Sequence, residues 1–410
     1  MFAYERLLRY VTIHTTSNDA SETRPSTRRQ FDLANILVRE MKQLGIADAW
    51  VDDKCYVYGS IPATPGYEGK VALGFIAHLD TSPDCSGVNV LPQVWKEYDG
   101  GVVHLKNNRV LDPRMFPHLK ELKGRTLITS DGTTLLGADD KAGIAEIMTM
   151  AEQILSSNEP HGKICISFTP DEEIGGGAQE MDIETFGADY AFTVDGSAEN
   201  EIEYENFNAA FAEFVVNGRS VHPGYAKDRM VNAGRVAAQI TRMLPEAEVP
   251  EKTEGYEGFY HLTGISGNVE SAKARYIVRD HDAGMYEARL ATLRLIEKTL
   301  NETYGEGTVV LTIREQYRNM VEKIRPCMHL IENAKAAIRA VGEEPAEIPI
   351  RGGTDGAQLS WRGLPCPNLG TGGYAFHGPF EHITAEAMDT AVKILRGIVR
   401  EYAESDLSGK

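Results

Sequence analysis

Five short segments place histidines or carboxylates at the ends of apolar runs, and together they hold the residue types of a divalent-metal site. They are Ala77-His78-Leu79-Asp80, Gly137-Ala138-Asp139-Asp140-Lys141, Thr169-Pro170-Asp171-Glu172-Glu173, Thr193-Val194-Asp195-Gly196 and Tyr374-Ala375-Phe376-His377-Gly378. Imidazole nitrogens and carboxylate oxygens are ligands that zinc, cobalt and manganese accept. A glutamate that is not a ligand could accept a proton as a general base. The segments therefore predict a metal-dependent hydrolase with two metal ions.

The first segment sets His78 and Asp80 two positions apart, directly after the apolar residues 71–77. Alternate residues of a strand point to the same face, so both side chains are expected on one face. We predict His78 as a metal ligand and Asp80 as the partner that orients its ring. A His-x-Asp pattern is also common at ordinary strand ends, so this prediction depends on the other segments.

The second segment sets Asp139 and Asp140 just before a helical pattern. Carboxylates in that position could simply cap the helix and interact with its dipole. They could also bridge two metal ions, and we predict Asp140 for that role. Asp139 would then support the geometry or orient a base.

The third segment carries the adjacent pair Glu172 and Glu173. Neighbouring residues that leave a strand point in different directions, so one could bind metal while the other faces a water. A metal ion lowers the pKa of its water, and a nearby glutamate can take the released proton. A solvated acidic pair is the simpler alternative. Residues 175–177 follow as a glycine turn, and Asp195 and His377 complete the predicted ligand set.

The elements that must position these residues alternate between strands and helices. Residues 71–77, 164–168 and 190–194 predict buried strands, and residues 141–155 predict a helix. Such alternation is typical of an α/β fold with a mainly parallel sheet flanked by helices. Ligands bind such sheets beyond the carboxyl ends of the strands, where the predicted metal ligands lie.

The sequence pattern changes near residue 208. Residues 210–218 alternate like a half-exposed strand, and a long helix is predicted from about residue 284 to residue 304. We predict a small α+β domain over residues 208–320. It would be inserted into a catalytic domain formed by residues 1–207 and 321–410.

The composition restricts the function further. The chain has 410 residues, of which 42% are hydrophobic and 25% charged, as in an ordinary globular protein of two or three domains. A net charge of −18 opposes binding to nucleic acid or an anionic membrane. Five scattered cysteines without a Cys-x-x-Cys pair predict reduced thiols and a cytoplasmic location. The first ten residues predict an amphipathic helix rather than a signal peptide, and no apolar run is long enough to span a membrane.

The motifs resemble those of the M20 family of co-catalytic zinc peptidases and, within it, those of the cytoplasmic tripeptide aminopeptidases. The likeness extends along nearly the whole chain. The stretches that carry it are residues 75–84, 136–143, 168–175, 221–224, 253–260 and 349–356. Their order and the long spans between them make the resemblance specific.

The resemblance implies two Zn²⁺ ions per subunit, with Co²⁺ or Mn²⁺ as substitutes. His78 and Asp195 would complete one zinc site, and Glu173 and His377 would complete the other. Asp140 would bridge the two ions. The fold implied is a zinc-peptidase catalytic domain with a mixed, mainly parallel sheet and an inserted lid and dimerisation domain.

The resemblance also implies roles beyond metal binding. Glu172 would be the general base, and Asp80 would orient a ligand histidine. His222, in the inserted domain, would help to stabilise the oxyanion. Arg279 and Arg351 would contact the substrate carboxylate, which a planar guanidinium suits well; for Arg279 an exposed strand arginine is the alternative. A homodimer is expected.

One stretch departs from the family pattern. Residues 378–382 read Gly-Pro-Phe-Glu-His where family members often carry basic residues, and Phe376 replaces the commoner tyrosine. The ligand His377 is retained, so the departure concerns the pocket wall and the preference among peptides.

Three functions are compatible with these patterns. The first is a zinc aminopeptidase that releases the N-terminal residue of small peptides, namely tripeptides. The second is another M20 amidohydrolase: a dipeptidase, a carboxypeptidase or an acyl-amino-acid hydrolase. The third is a non-catalytic peptide-binding protein, which is disfavoured because every ligand position and the base position are filled.

Overall fold

A computed structural model describes residues 1–409, and in it the chain divides into two units. The first unit comprises Met1–Tyr204, Glu322–Ile348 and the chain from Thr354 onward. The second comprises Glu205–Val321 and Pro349–Gly353. The second unit therefore contains residues 208–320 and, in addition, a short segment that follows much later in the chain.

Helices and strands alternate along most of the chain. The α-helices in residues 1–409 are α1 (Ala3–Tyr10), α2 (Gln30–Leu44), α3 (Ala138–Leu155), α4 (Ile183–Phe186), α5 (Ala233–Met243), α6 (Ala283–Tyr304), α7 (Val321–Ile324), α8 (His329–Ala340), α9 (Asp355–Trp361) and α10 (Ala385–Glu404). The strands are β1 (Trp50–Val51), β2 (Val57–Ile61), β3 (Leu73–His78), β4 (Gln93–Trp95), β5 (Val103–His104), β6 (Val110–Leu111), β7 (Leu127–Thr129), β8 (Ile164–Thr169), β9 (Tyr190–Gly196), β10 (Glu201–Glu203), β11 (Asn208–Asn217), β12 (Phe259–Gly267), β13 (Ser271–Asp280), β14 (Val309–Tyr317), β15 (Ala346–Glu347), β16 (Asn368–Gly370), β17 (Gly373–Tyr374) and β18 (His382–Thr384). None of the helices within residues 1–409 combines the length and apolarity needed to cross a membrane.

The first unit is built on an eight-stranded sheet with the order β1-β2-β8-β3-β9-β16-β10-β15. Its centre is parallel, because β3 pairs in parallel with β8 and β9, and β9 pairs in parallel with β16. The pairs β2–β8 and β10–β16 are antiparallel. All six residues of β3 and all six of β8 are buried, as expected for central parallel strands. This mixed, mainly parallel sheet confirms the predicted fold class.

The parallel strands bring the predicted ligand segments to one edge of this sheet. β3 ends at His78, whose register partner in β8 is Thr169, the last residue of that strand. Asp195 lies at the end of β9, the other parallel neighbour of β3. Helix α3, which follows Gly137, packs against β3 and β9 and is buried along most of its length.

A smaller antiparallel sheet in the first unit has the order β17-β18-β7-β4. Strands β17 and β18 flank His377 in the sequence, and β18 pairs with β7. The sheet therefore fixes the chain on both sides of the last predicted ligand.

The second unit is a four-stranded antiparallel sheet, in the order β12-β13-β11-β14, with helices α5 and α6 packed on it. Buried and exposed positions alternate along β11 and β13, so each strand has one apolar face. Phe214, Tyr276 and Leu293 are among the residues of the core between the sheet and the helices. This confirms an α+β arrangement.

Candidate metal centre

The imidazole of His78 lies at the centre of the candidate site, at the end of β3. Its Nδ1 donates to the carbonyl oxygen of Asp80 at 3.0 Å, and the Asp80 carboxylate lies 3.4 Å away. Its Nε2 lies 2.8 Å from Oδ1 of Asp139 and 3.4 Å from Oδ1 of Asp195. Because a carbonyl oxygen can only accept, Nδ1 carries a proton, and Nε2 is the nitrogen available for a metal ion.

The imidazole of His377 has a corresponding set of neighbours. Its Nε2 lies 3.0 Å from Oδ2 of Asp139 and 2.8 Å from Oε2 of Glu173. Each histidine therefore faces one oxygen of Asp139 and one oxygen of a second carboxylate. This is the pattern of two neighbouring metal sites that share one carboxylate.

Asp139, rather than the predicted Asp140, lies between the two histidines. The fully buried Asp140 accepts the backbone N–H of His78 on Oδ2 at 3.0 Å and that of Gly143 on Oδ1 at 3.2 Å. Asp140 does come within 4.8 Å of His78 and Asp195 in a possible three-ligand set, but backbone amides already hold both of its oxygens. The geometry therefore favours Asp139 as the shared ligand and Asp140 as a support.

The backbone explains how adjacent aspartates come to differ. Asp139 and Asp140 have non-helical dihedral angles at the start of α3. Gly137, just before them, has a φ of 83°, in the left-handed region that glycine adopts without steric cost. The two side chains consequently leave the turn in different directions.

Asp80 connects the His78 ring to the glutamate turn. It is fully buried, and its Oδ1 accepts the backbone N–H of Glu172 at 2.9 Å. Its Oδ2 accepts the backbone N–H of Glu173 at 3.3 Å. The residue predicted to orient His78 therefore also fixes the two residues that follow β8.

The Glu172-Glu173 pair begins a short 3₁₀ turn over Glu172–Ile174. The side chain of Glu173 is only 3% exposed. Its Oε2 faces His377, and its Oε1 is buried with no hydrogen-bond partner within residues 1–409. A buried carboxylate oxygen without a partner is costly unless a cation or water binds it. Together with two imidazole nitrogens, these oxygens form a donor set that fits zinc, cobalt or manganese.

Crowding among the carboxylates shifts their proton affinities. Burial, with the negative charge of Asp139 added, raises the pKa of Glu173 to about 8. Burial and the charge of Asp195 also raise the pKa of Glu172. The hydrogen bonds to Asp139 and Glu173 raise the pKa of His377 to about 11. A divalent cation would compensate the negative charge that these shifts reflect.

Two further buried carboxylates, to which no role was assigned from the sequence, support the chain on either side of the glutamate turn. Asp171 accepts the backbone N–H of Ser26 at 2.7 Å, its hydroxyl at 2.5 Å, and the Gln30 amide at 2.7 Å. Asp355 accepts the backbone N–H of Ala178 at 2.7 Å. Both lie in stretches that carry the family resemblance, which is the only sequence signal that could have pointed to them.

His222 and Arg279, which were predicted to contact the substrate, belong to the second unit. His222 is exposed, and its Nδ1 accepts the backbone N–H of Gly224 at 3.1 Å. Arg279 donates from Nη1 to the carbonyl oxygen of Val278 at 3.0 Å, and its guanidinium carbon lies 5.2 Å from the ring centroid of Tyr317. Burial lowers the pKa of Arg279 from its ordinary value.

Arg351, also in the second unit, is committed to a loop of that unit. Its Nη1 donates to the carbonyl oxygens of Gly255 at 2.6 Å and Glu257 at 3.0 Å. Its Nη2 donates to the hydroxyl of Thr253 at 3.1 Å. The guanidinium carbon lies 5.0 Å from the ring centroid of Phe207. These contacts favour a role in stabilising the loop. They do not favour a guanidinium that is free to bind a substrate carboxylate.

Comparisons with known proteins found one family model and several similar chains. The family model of Peptidase family M20/M25/M40 matches residues 131–401. A Peptidase T from Alkaliphilus oremlandii is 50% identical over 404 residues, which cover 98% of this chain and 99% of that protein. The crystal structure of aminopeptidase PepT from Bacillus cereus matches with a TM-score of 0.78 at 22% identity, covering 98% of each chain. The YXEP protein of Bacillus subtilis, a dinuclear metal-binding peptidase of family M20, matches with a TM-score of 0.66 at 15% identity, covering 98% of this chain and 99% of that one.

Proposed function

The chain belongs to Peptidase family M20/M25/M40, and from that premise we propose that it is a two-metal aminopeptidase that removes the N-terminal residue of tripeptides. The observation that carries the proposal is the Asp139 carboxylate, which has one oxygen on Nε2 of each histidine, His78 and His377. The Peptidase T relative, half identical over nearly the full length, supports the choice of tripeptides.

The proposed ligand set divides into two halves that share Asp139. His78 and Asp195 would hold one ion, and His377 and Glu173 the other. We propose two Zn²⁺ ions per subunit, although the donor set would also accept Co²⁺ or Mn²⁺. When bound, such a pair polarises the scissile carbonyl and lowers the pKa of the attacking water.

Glu172 is the proposed general base. Asp80 fixes its backbone, and burial raises the pKa of its carboxyl, which increases its affinity for a proton. In the reaction a Glu172 carboxylate oxygen takes a proton from the attacking water. The same group returns the proton to the departing amino nitrogen as the C–N bond breaks.

His222 and Arg279 are the proposed substrate contacts from the second unit. Because Nδ1 of His222 accepts a hydrogen bond from Gly224, the proton of the neutral ring lies on Nε2. That N–H is the kind of donor that stabilises an oxyanion. Arg279 would bind the carboxylate of the peptide, and Arg351 would contribute through the loop that it holds.

Homodimer formation and a cytoplasmic location are further parts of the proposal. The family resemblance supports the dimer. The five cysteines, all within residues 1–409, are free thiols, which supports a reducing compartment.

Hydrolysis of three matched substrates by the zinc-loaded protein tests the proposal. They are a free tripeptide, its N-acetylated form and the corresponding dipeptide. Cleavage of the free tripeptide alone, with release of its first residue, is expected. Cleavage of the acetylated form or the dipeptide instead would indicate another M20 amidohydrolase. Zinc binding without turnover of any substrate would indicate a peptide-binding protein.

A further inference from the structure

Glu381 is a buried carboxylate that lies four residues after the proposed ligand His377. It is 1% exposed, and its oxygens accept three backbone N–H groups of one turn. Oε2 accepts those of Leu136 at 2.7 Å and Gly137 at 2.8 Å, and Oε1 accepts that of Asp139 at 3.0 Å. One side chain therefore satisfies most of the donors of the turn that carries the shared ligand.

The turn needs such a partner. Leu136 and Gly137 lie just before α3, which begins at Ala138, and Asp139 has non-helical dihedral angles at its start, so the helix supplies no acceptor for their N–H groups. Buried without an acceptor, each of these N–H groups would lose its hydrogen bond to water without a replacement, which destabilises the fold. A carboxylate at this end of the helix is also favoured by the helix dipole. Glu381 supplies that acceptor from a segment that is 242 positions distant from Asp139 in the sequence.

The backbone that carries Glu381 is also held in place by the structure around it. Strand β18 begins at His382, directly after Glu381, and its Ile383 pairs with Ile128 of β7. His382 is fully buried, and its Nδ1 donates to the carbonyl oxygen of Phe380 at 2.7 Å. The backbone of Glu381 is thus held next to the sheet. Its carboxylate can therefore act as a strut, meaning that it holds the turn of residues 136–139 at a fixed position relative to β18.

We propose that Glu381 is a positioning residue of the metal centre, which sets the distance between Asp139 and His377. The inference rests on the proposed function, because it concerns two ligands assigned to the same ion. His377 Nε2 and Asp139 Oδ2 lie 3.0 Å apart, and Glu381 is bonded to the backbone of one ligand and lies a few residues from the other. The segment after His377 that departs from the family pattern would therefore serve, through Glu381, to position Asp139 relative to His377.

The variant Glu381→Gln tests the strut with little change in shape. A glutamine side chain has one acceptor oxygen and an NH₂ group, which would face an N–H donor of the turn. If the oxygen remains on Leu136 and Gly137, the bond to Asp139 is lost. Outer partners of metal ligands typically contribute about 10–100-fold to metal affinity. We therefore expect the Kd of the more weakly held zinc ion to rise by about tenfold or more.

The chain offers a matched control in Glu386→Gln. Glu386 also accepts a backbone N–H from a distant segment, that of Thr126 at 2.7 Å, but it is exposed, and Thr126 carries no proposed ligand. Replacing the Glu386 carboxylate with an amide should leave the zinc affinities unchanged. Glu381→Asp is a second test variant, because it keeps the charge but shortens the reach by one methylene.

Zinc affinities are measured by competition with a chromophoric chelator, on variants whose circular dichroism matches the wild type. Weaker zinc binding in Glu381→Gln or Glu381→Asp, with activity restored by excess zinc, would support the strut. Wild-type zinc affinities in a folded Glu381 variant would overturn it while leaving the proposed function intact. Fewer than two zinc ions bound by the wild-type protein would overturn the two-metal proposal and this inference with it.

Discussion

The two units use their predicted functional residues in different ways. In the first unit the residues face one another, because His78 and His377 each direct Nε2 at an oxygen of Asp139. In the second unit, Arg351 directs both terminal amino groups at the loop of residues 253–257, and His222 is exposed to solvent. The first unit thus contains every proposed metal ligand. Variants in the second unit should affect substrate turnover without affecting metal binding.

The two units also stabilise their functional loops with opposite chemistry. Buried carboxylates of the first unit, such as Asp80 and Glu381, accept backbone N–H groups of the ligand turns. In the second unit the guanidinium of Arg351 donates to backbone carbonyl oxygens. The buried carboxylates add negative charge around a cation site. The arginine guanidinium stabilises a loop without creating a cation site.

The strongest test of the first unit is Glu172→Gln. Loss of a general base typically lowers kcat by about 10²–10⁴-fold. Because Glu172 is not a proposed ligand, the zinc content should remain two per subunit. Steady-state hydrolysis of a tripeptide and zinc analysis of the same sample check both parts. Loss of zinc from the variant would instead make Glu172 a ligand.

A pair of variants, Asp139→Asn and Asp140→Asn, tests which aspartate is shared. Asp139→Asn should weaken zinc binding by more than about 100-fold, because it removes a ligand rather than an outer partner. Asp140→Asn should weaken it less, by about tenfold, through the backbone of His78. Chelator competition gives both values. The reverse order would restore Asp140 as the bridging residue.

This pair also marks the limit of prediction from the sequence. Strands β3, β8 and β9 were predictable because uninterrupted apolar runs of that length indicate buried parallel strands. The choice between Asp139 and Asp140 was not, because it depends on the backbone angles of the turn and on which carboxylate receives amide hydrogens.

Glu381 shows a second limit. Its residue type and neighbours in the sequence are those of many surface glutamates. In the fold it is buried, and it accepts hydrogen bonds from a turn about 240 residues earlier, which no local pattern encodes. The departure of the surrounding segment from the family pattern is visible in the sequence. The contacts of Glu381 with the ligand turn are visible only in the fold.

His222→Asn tests the second unit at the catalytic step. Loss of one oxyanion donor typically lowers kcat by about 10²–10³-fold, and we expect the lower end of this range. Zinc affinity should equal that of the wild type, unlike that of the Asp139 variant. His261→Asn, a half-buried histidine on β12 of the same unit, serves as the control. Unchanged turnover in His222→Asn would remove the second unit from the chemical step.

Arg279→Lys tests substrate recognition. An ammonium cannot form the two parallel hydrogen bonds that a guanidinium makes with a carboxylate, so KM should rise by about tenfold with little change in kcat. A tripeptide with an amidated C-terminus should be equally poor for both proteins, since it lacks the carboxylate. If KM rises as much for the amide as for the free acid, Arg279 does not bind the substrate carboxylate. It would then have only a structural role in β13.

Arg351→Lys should have the smallest effect on turnover and a measurable effect on stability. A single ammonium cannot bond the carbonyl oxygens of Gly255 and Glu257 and the hydroxyl of Thr253 together, and it loses the stacking on Phe207. We expect the free energy of unfolding to fall by about 1–2 kcal/mol, as measured by denaturant unfolding. The control is Arg294→Lys, because Arg294 is an exposed residue of α6.

The kinetic constants of Arg351→Lys then decide how far the difference between the units extends. If kcat and KM stay within about threefold of the wild type, well under 1 kcal/mol in binding, Arg351 is a loop clamp. A tenfold rise in KM at unchanged stability would mean that the guanidinium leaves the carbonyl oxygens of the loop when a substrate carboxylate is present. The second unit would then, like the first, present a charged group directly to the reaction, and its observed hydrogen bonds would be those of the resting protein.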